Sequence, residues 1–471
     1  MKITVRNLGV VKVAEIDLKP LTILVGPNNM GKTWLAYTIG GILGRYGWQR
    51  YLDAYIENDL PKKYPELEGL VQDIFDKGSA VIDFVEFAET YGEEYINNVA
   101  HLAPEWMPDF MGTERIKFDQ LEIQLSLEET KKRYIDRIAN VRITSGIAMG
   151  KQKQEPLLRA RKDAKDRKLY FYTSENITEK LPHSAVAGFV YGIIFQELHQ
   201  AAYSNVQFFP TERTTFITFP FKAQPPTTEP VTSTVNDDEQ VEQTVERGCW
   251  AIDDFINMIG YLYTRSNISR RASSSKKNKA IKCYMQLAQD LQEQILYGKI
   301  DLESSDLGKE ILFTTTEPES NKSMTMEIPL ASSMVKELAP LVLFLRYLAI
   351  PGELLVIDEP EMNLHPEAQA KIIEFLAMLV NAGLNVLITT HSPYLVDHLA
   401  NLMEAYKNEN PDAIRDKFFL QTSDAFIAKD CVAVYEVSSA GAKSILDDDG
   451  IIHWDTFSDV TRQLTQIHFD L

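Results

Sequence analysis

A glycine-rich octapeptide near the start of the chain constrains the fold more than any other feature. It reads Gly26-Pro27-Asn28-Asn29-Met30-Gly31-Lys32-Thr33. The apolar run Leu21 to Val25 before it predicts a buried strand, and the residues from Trp34 to Leu43 after it predict a helix. A strand, a glycine-rich turn and a helix in this order form the setting in which phosphate groups bind. We therefore predict an α/β fold that holds a nucleoside triphosphate at this turn.

The polar positions of the turn have predicted roles. Its glycines allow backbone N–H groups to converge on phosphate oxygens at a helix N-terminus. Lys32 would reach the β and γ phosphates, and the Thr33 hydroxyl would ligate Mg²⁺, so ATP and Mg²⁺ are the expected ligands. The alternative is a glycine-rich turn that binds nothing. The predicted nucleotide-binding residues here are Gly26, Asn28, Asn29, Gly31, Lys32 and Thr33.

A second segment with related chemistry lies far downstream, at Glu353 to Pro360. Its apolar residues predict a buried strand that ends in two acids. Asp358 would hold Mg²⁺ directly or through water, while Glu359 would polarise the water that attacks the γ-phosphate. Two solvated acids at a strand end are the alternative, and the glycine-rich turn in the same chain argues against it.

A further buried strand, Asn385 to Thr390, is predicted after a helix that begins at Pro366 and runs toward Gly383. The strand ends at His391, and a histidine at the end of a strand can reach a γ-phosphate. A surface or capping histidine is the alternative for this residue type. We predict that Glu359 and His391 are the catalytic residues.

Two stretches of this region resemble the pattern DEPE-x-x-LHP followed by TTHSP, which ABC-class ATPases of the OLD, RecF and SMC-like group carry. They are Glu359-Pro360-Glu361-Met362-Asn363-Leu364-His365-Pro366 and Thr389-Thr390-His391-Ser392. The residues Ile3 to Leu8 and Ile16 to Leu18 look like the first hairpin of that group. The resemblance covers both ends of the chain. It implies an ABC-type P-loop NTPase with an antiparallel β-layer and inserted helical elements.

The resemblance also implies a homodimer or higher homo-oligomer, in which ATP lies between the P-loop of one protomer and a signature serine of the other. The signature here is Ala331 to Leu338, and Ser333 would contact the phosphate. Met334 stands where relatives usually carry glycine, and its side chain would crowd the opposing γ-phosphate. A serine-rich helix N-cap is compatible with this role.

The segment Phe209 to Thr214 resembles a P-x-ER sequence of several small members of the group. Arg213 would either sense the nucleotide or pin the two lobes together. A structural pair of a glutamate with this arginine is the alternative.

A long insertion separates the two phosphate-site motifs. Within it, strands are predicted at Leu121 to Leu127 and at Lys168 to Tyr172. Two helical patterns flank the basic run Arg265 to Lys282 and predict a helical arm with a basic tip. The predicted units are 1–50 (first part of the ATPase core), 51–205 (helical and β-layer insertion), 206–222 (central strand and arginine segment), 223–305 (mobile loop and helical arm) and 306–471 (second ATPase lobe with a C-terminal strand and helix).

Composition limits the choice of partners. The formal net charge of −19 argues against a surface that coats nucleic acid without selection. The run Arg265 to Lys282 nevertheless holds seven basic residues and no acid, so nucleic acid or an acidic partner is a candidate ligand there. No apolar run approaches membrane-spanning length, and the first residues enter a strand, so we expect a cytoplasmic protein without membrane contacts.

The leading hypothesis is an ATPase that acts as a dimeric, nucleotide-gated switch or scaffold for a separately encoded effector, a nuclease or toxin. By resemblance, stand-alone OLD-like ATPases do this in bacterial anti-phage defence. A RecF-like DNA-repair or DNA-end-binding ATPase is the alternative. A transporter nucleotide-binding subunit is disfavoured because an LSGGQ signature is absent. Too little chain follows His391 for a TOPRIM nuclease domain, so any nuclease is expected on a separate chain.

Overall fold

The computed structural model of the 471-residue chain describes most of its length. The described residues are 1–57, 59–60, 63–147, 156–173, 181–218, 248–262, 271, 276, 278–305, 308–316, 323–454 and 466–467. The predicted mobile loop at 223–243 and most of the predicted C-terminal helix lie outside them.

Sixteen strands occur in the described part of the chain. They are β1 (Lys2–Leu8), β2 (Val11–Asp17), β3 (Leu21–Val25), β4 (Ser79–Asp83), β5 (Glu122–Ser126), β6 (Ile143–Ile147), β7 (Leu158–Lys162), β8 (Lys168–Thr173), β9 (Val206–Phe209), β10 (Gly298–Ser305), β11 (Gly308–Thr316), β12 (Ser323–Glu327), β13 (Leu354–Asp358), β14 (Asn385–Thr390), β15 (Val432–Ser438) and β16 (Gly441–Ser444).

Thirteen α-helices accompany these strands in the same described ranges. They are α1 (Lys32–Leu43), α2 (Arg45–Glu57), α3 (Pro65–Lys77), α4 (Phe84–His101), α5 (Ala103–Met111), α6 (Lys131–Asn140), α7 (His183–Gln200), α8 (Arg213–Thr218), α9 (Trp250–Leu262), α10 (Lys279–Leu291), α11 (Ser333–Tyr347), α12 (Pro366–Asn381) and α13 (Pro393–Tyr406). None of the described helices is long and apolar enough to cross a membrane.

A nine-stranded sheet in the order β5-β1-β2-β16-β15-β3-β14-β13-β9 forms the centre of the molecule. In its parallel half, every residue of β3, β13 and β14 is buried, as expected for strands that are covered on both faces. Asp358 pairs in register with Thr389, and Thr390 pairs with Val25. Parallel strands end at one edge of a sheet, so the turns after Val25, Asp358 and Thr390 meet there.

The other half of the sheet is mainly antiparallel. β1 and β2 form the predicted N-terminal hairpin, in which Lys2 lies opposite Asp17. The predicted strand at Leu121 to Leu127 is present as β5, which pairs with β1 at the sheet edge. The predicted strand at Lys168 to Tyr172 is β8, and it belongs to a separate antiparallel sheet, β4-β8-β7-β6. The expected β-layer is therefore divided between two sheets.

The predicted helical arm is wrong for the two helices that flank the basic run. Phe255 of α9 and Leu287 of α10 are buried in the same apolar core as residues of α11 and α12. The Tyr284 hydroxyl of α10 donates to the carbonyl of Ala382, just beyond α12. An apolar face that finds a partner within the chain does not project as an arm. These helices are part of the body that surrounds β13.

Two further expectations about this region are corrected. Arg271 is buried and does not lie at a basic tip. Its guanidinium donates to the carbonyls of Leu345, Arg346 and Ala349. The predicted boundary at 305/306 falls inside a three-stranded antiparallel sheet, β10-β11-β12. Alternating apolar residues in β10 and β11 place Ile300 and Phe313 opposite each other on the buried face.

Candidate nucleotide site

The P-loop lies at the carboxyl edge of the central sheet, between β3 and α1. Gly26 and Gly31 have φ angles of 146° and 86°, which glycine adopts without strain. A Cβ atom at Gly26 would lie 2.4 Å from the carbonyl oxygen of Val437 in β15. The loop therefore needs glycine both for its backbone conformation and for its close approach to the neighbouring strand.

A cavity of 700 Å³ opens over the P-loop. Among the described residues, no side chain caps α1 at Gly31 and no acid lies in its first turn, so its N–H groups and positive end remain available at the cavity wall. This wall fits a phosphate group. The described lining residues are Gly9, Val10, Asn28, Asn29, Met30, Gly31, Lys32, Thr33, Trp34, Ile116 and Glu359.

The Lys32 side chain is folded onto the P-loop. Its Nζ donates to the carbonyl oxygens of Gly26 at 2.8 Å and Pro27 at 2.9 Å. Burial lowers the pKa of Lys32, and the negative charges of Glu359 and Asp358 oppose that shift. A partly desolvated ammonium group beside the uncapped N-terminus of a helix is suited to an anionic ligand.

Thr33 and Asp358 join the two predicted motifs. The Thr33 hydroxyl donates to both carboxylate oxygens of Asp358, at 3.0 and 3.1 Å, and the Thr389 hydroxyl donates to the same carboxylate. Burial raises the pKa of Asp358 to about 6, and these hydroxyl groups counteract the shift. A hydroxyl and a carboxylate are hard oxygen ligands, so this pair fits Mg²⁺.

Glu359 follows β13 in the left-handed conformation, with φ of 47°. Its backbone N–H donates to the carbonyl oxygen and hydroxyl of Thr389, at 3.1 and 3.2 Å. The Nδ1 atom of His391 lies 3.4 Å from the Oε1 atom of Glu359. The structure therefore brings the two predicted catalytic side chains close to each other, and Glu359 lines the P-loop cavity.

Glu361 is a member of this site for which the sequence suggested no role. Its Oε1 atom accepts from the Thr390 hydroxyl at 2.6 Å and from the His391 backbone N–H at 3.0 Å. The side chain is only 3% exposed, and its Oε2 atom has no hydrogen-bond partner among the described residues. Glu361 thus fixes the turn that carries His391. Its position two residues after Glu359 was the available signal.

Arg213 does not lie where it could contact a nucleotide in the P-loop cavity. Its guanidinium donates to the carbonyl oxygens of Pro210 at 2.8 Å, Asp358 at 2.7 Å and Glu359 at 2.8 Å. It also pairs with the carboxylate of Glu337, and both side chains are buried. Arg213 therefore forms the structural pair with a glutamate that was the alternative to a functional role, and the partner, Glu337, comes from α11. The contacts of Arg213 with the carbonyls of Asp358 and Glu359 also tie α11 to the end of β13. Arg213 does not line the P-loop cavity among the described residues.

Glu337 was missed because its partner Arg213 lies far away in the sequence. A charged residue inside the run that continues to Leu345 was the only signal for it. Burial raises its pKa to about 7, while the charge of Arg213 opposes the shift.

Ser333 is exposed on the first turn of α11, and Ser332 before it is the N-cap. The Ser332 hydroxyl oxygen accepts from the backbone N–H of Val335 at 3.3 Å. Ser333 is not among the described residues that line the cavity over the chain's own P-loop. Met334 is half-buried. Contact between Ser333 and a phosphate held by a second protomer stays a prediction.

The model of the AAA ATPase domain family matches residues 1–396. A segment of 59 residues is 41% identical to the Old nuclease of Escherichia phage P2. This segment makes up 12% of the present chain and 10% of that relative, so the match spans a small part of either protein.

Two solved structures align along most of the chain. One is an Smc head bound to the C-winged helix domain of ScpA, at 12% identity and a TM-score of 0.36, covering 94% of this chain and 96% of that chain. The other is an Smc head domain with an extended coiled coil, bound to the C-terminal domain of ScpA derived from Pyrococcus furiosus. It has 12% identity and a TM-score of 0.34, covering 99% and 98% of the two chains.

Proposed function

Because the chain belongs to the AAA ATPase domain family, we propose that it binds ATP with Mg²⁺ at the P-loop cavity and hydrolyses it. One observation carries this proposal: Thr33 and Asp358 are far apart in sequence, yet the sheet brings them into direct hydrogen-bond contact beside Glu359. A hydroxyl and an acid in contact, next to a second acid, meet the needs of phosphoryl transfer.

The residues of the site divide the work. Gly26, Gly31 and Lys32 bind the phosphates, and Thr33 and Asp358 would hold Mg²⁺, which would neutralise phosphate charge. The apolar side of the cavity is suited to the base. The apolar lining residues include Val10, Met30, Trp34 and Ile116.

The proposed chemistry of hydrolysis falls to the side chains around the turn after β13. Glu359 would accept the proton of the attacking water, since it lines the cavity and its carboxylate is the nearest acid to His391. His391 would orient the γ-phosphate or the water. Glu361 would hold His391 in place through the backbone.

Calorimetry of Lys32→Ala tests the site. We expect loss of measurable ATP binding, because the variant removes the cation that faces the phosphates. Lys162→Ala is a matched control, since Lys162 is also buried and also donates to two backbone carbonyls, those of Ala139 and Val141. Wild-type ATP affinity and hydrolysis in Lys32→Ala would refute the proposal.

We further propose that ATP joins two protomers, with Ser333 of one facing the P-loop of the other. The exposure of Ser333 at a helix N-terminus supports this. Light scattering on Glu359→Gln should show an ATP-dependent dimer, and adding Ser333→Arg should keep it monomeric. Ser145→Arg, at another exposed serine, is the control. A Glu359→Gln protein that binds ATP and stays monomeric would contradict the dimer.

The biological role we propose is a nucleotide-gated switch for a separately encoded effector, a nuclease or toxin, in anti-phage defence. Support comes from the resemblance to OLD-like ATPases and from the segment shared with the Old nuclease of phage P2. Mass spectrometry of proteins that copurify with the chain, with and without ATP, tests this role. Recovery of the ATPase alone under both conditions would argue against a stable effector.

A second candidate function, DNA binding of the RecF type, is favoured by one feature. Lys276, Lys279 and Lys282 are exposed, and Lys276 and Lys282 line a groove of 1280 Å³ together with Lys299. Such a groove suits a phosphate backbone, and binding would weaken steeply with salt. Absence of DNA and RNA binding at low salt, with and without ATP, would remove this candidate.

A further inference from the structure

A buried network links the signature helix α11 to the turn that carries Glu359 within one protomer. Glu337 of α11 pairs with Arg213, and the Asn363 side chain lies 3.5 Å from the other oxygen of Glu337. Arg213 in turn donates to the carbonyl oxygens of Asp358 and Glu359. The chain of contacts therefore has one end on the helix and the other on the proposed catalytic turn.

The helical end of this network lies one turn from the signature serine. Ser333 and Glu337 are four residues apart in α11, so they lie on the same side of the helix, about 6 Å apart along its axis. Ser333 is exposed, whereas Glu337 is 1% exposed. Because one helical turn is rigid, a displacement of the exposed end of α11 would also displace Glu337.

The other end of the network contacts the turn after β13, whose backbone conformation is unfavourable for most residues. Glu359 and Asn363 both have positive φ angles, 47° and 61°. For glutamate this conformation costs about 1–3 kcal/mol and persists only where its surroundings hold it, whereas asparagine adopts it more readily. Arg213 holds the carbonyl of Glu359, and the N–H of the same residue donates to Thr389. The two contacts fix the peptide groups on both sides of the Glu359 side chain.

Stability alone does not account for this arrangement. Replacing a buried ion pair by apolar residues of similar volume is often neutral or stabilising, so an ion pair in such a place is weak evidence for a stabilising role. Arg213 also does more than neutralise Glu337, because its remaining donors bind the carbonyls of the two residues at the end of β13.

We propose that Glu337 and Arg213 are positioning residues that couple the signature end of α11 to Glu359 in the same protomer. Engagement of Ser333 by a second protomer would act on Glu337, and Arg213 would pass this to the carbonyls of Asp358 and Glu359. Hydrolysis would then depend on whether the signature is occupied. This inference rests on the proposed ATPase function and names a regulation of that site.

The experiment compares Glu337→Leu with Glu337→Gln in the full chain. The leucine variant cannot accept a hydrogen bond from Arg213, whereas the glutamine variant keeps an acceptor of the same shape. We expect Glu337→Leu to lower kcat at least about tenfold with ATP affinity within about twofold, and Glu337→Gln to recover most of the loss. Backbone amide exchange of residues 358–363 should become faster in Glu337→Leu.

Arg271→Met is the matched control. Arg271 is a buried arginine that donates to carbonyls at the opposite end of α11, so its loss damages the same helix without touching the turn of Glu359. We expect its kcat per folded molecule and its exchange at residues 358–363 to match wild type. A purely structural role for Glu337 would make the two variants behave alike.

The outcomes separate this inference from the ATPase proposal. Wild-type kcat per folded molecule in Glu337→Leu, or an equal loss in Arg271→Met, overturns the coupling. If the wild-type protein hydrolyses no ATP, the proposed function fails, and amide exchange at residues 358–363 decides alone. Faster exchange in Glu337→Leu than in Arg271→Met then supports the coupling, and equal exchange overturns it.

Discussion

Two buried arginines hold the two ends of helix α11 in different ways. Arg213 contacts the carboxylate of Glu337 and also the carbonyls of Asp358, the last residue of β13, and Glu359. Arg271 donates to three carbonyls at the C-terminal end of the helix. Burial lowers the pKa of Arg271, and the negative charge of Glu353 partly opposes this shift. One arginine ties the helix to a proposed catalytic turn, and the other closes a helix end.

The role of a buried arginine therefore depends on which acceptors its N–H groups contact. Carbonyl oxygens at a helix C-terminus lack partners within the helix, and a cation near them is favourable. The Arg271 end therefore satisfies an ordinary need of any helix. Arg213, in contrast, connects α11 to Glu359, a residue outside this helix with a positive φ angle. Arg213 is therefore placed to influence the proposed reaction.

The largest effect is expected where the Arg213 end meets the chemistry. Glu359→Gln should lower ATP turnover by about 10²–10⁴-fold and leave ATP binding and the unfolding free energy close to wild type, because the amide keeps the shape and loses the base. Single-turnover kinetics with calorimetry measure this. His391→Ala should have the same sign and a smaller size.

Turnover at the wild-type rate in Glu359→Gln would contradict the difference proposed between the two arginines. The turn that Arg213 holds would then not be catalytic. Glu15→Gln is a suitable control, since Glu15 is an exposed acid on β2 away from the P-loop cavity.

The Arg271 end is expected to give the next largest effect, on stability alone. Arg271→Met should lower the unfolding free energy by about 2–4 kcal/mol, because buried carbonyl oxygens lose their donors. Denaturant unfolding measures this, and turnover per folded molecule should remain at the wild-type level. A large loss of kcat without loss of stability would show that the far end of α11 also acts on the site.

Sequence patterns predicted the parallel half of the fold well. Short apolar runs ending at Val25, Asp358 and Thr390 were all placed as buried strands, and sheet topology then brings their ends together. The P-loop was predictable because its glycines and the following helix are contiguous in sequence. The family match and the fold confirm these predictions.

The region between the motifs was predicted less well, for physical reasons. The periodicity of α9 and α10 indicates helices but not what their apolar faces contact, so packing against the core was mistaken for an arm. Arg271 has the same sequence character as its exposed neighbour Lys276, and only tertiary contacts distinguish them. Glu337 and Arg213 are far apart in sequence, and a pairing of this kind has no local signal.

A smaller, pH-dependent effect should appear near the Arg271 end. Burial raises the pKa of Glu353 to about 7, although the Ile350 N–H, the Asn205 amide and the charge of Arg271 all oppose it. The unfolded chain loses this proton near the ordinary pKa of 4.5, so the folded state binds more protons between the two values. Stability should therefore fall as pH rises from about 4.5 to about 7.

Glu353→Gln should flatten this part of the stability curve, because the amide does not titrate. Denaturant midpoints of both proteins at several pH values between about 4.5 and about 8 provide the measurement. An unchanged slope in the variant would mean that another buried acid dominates. Asp254 is the first to test, because burial raises its pKa to about 7 as well.

The smallest effect on the fold is expected from exposed lysines, because, unlike the two arginines, they are not buried. Charge reversal of Lys276, Lys282 and Lys299 to glutamate should change the unfolding free energy by no more than about 0.5 kcal/mol per site and leave basal ATP turnover intact. If the groove they line holds a nucleic-acid backbone, log affinity should fall linearly with log salt. The slope of the variant should then be shallower by about one unit for each phosphate group that its side chains no longer neutralise. Equal slopes for wild type and variant would mean that these lysines do not bind phosphate, which leaves a protein surface as the ligand for this groove.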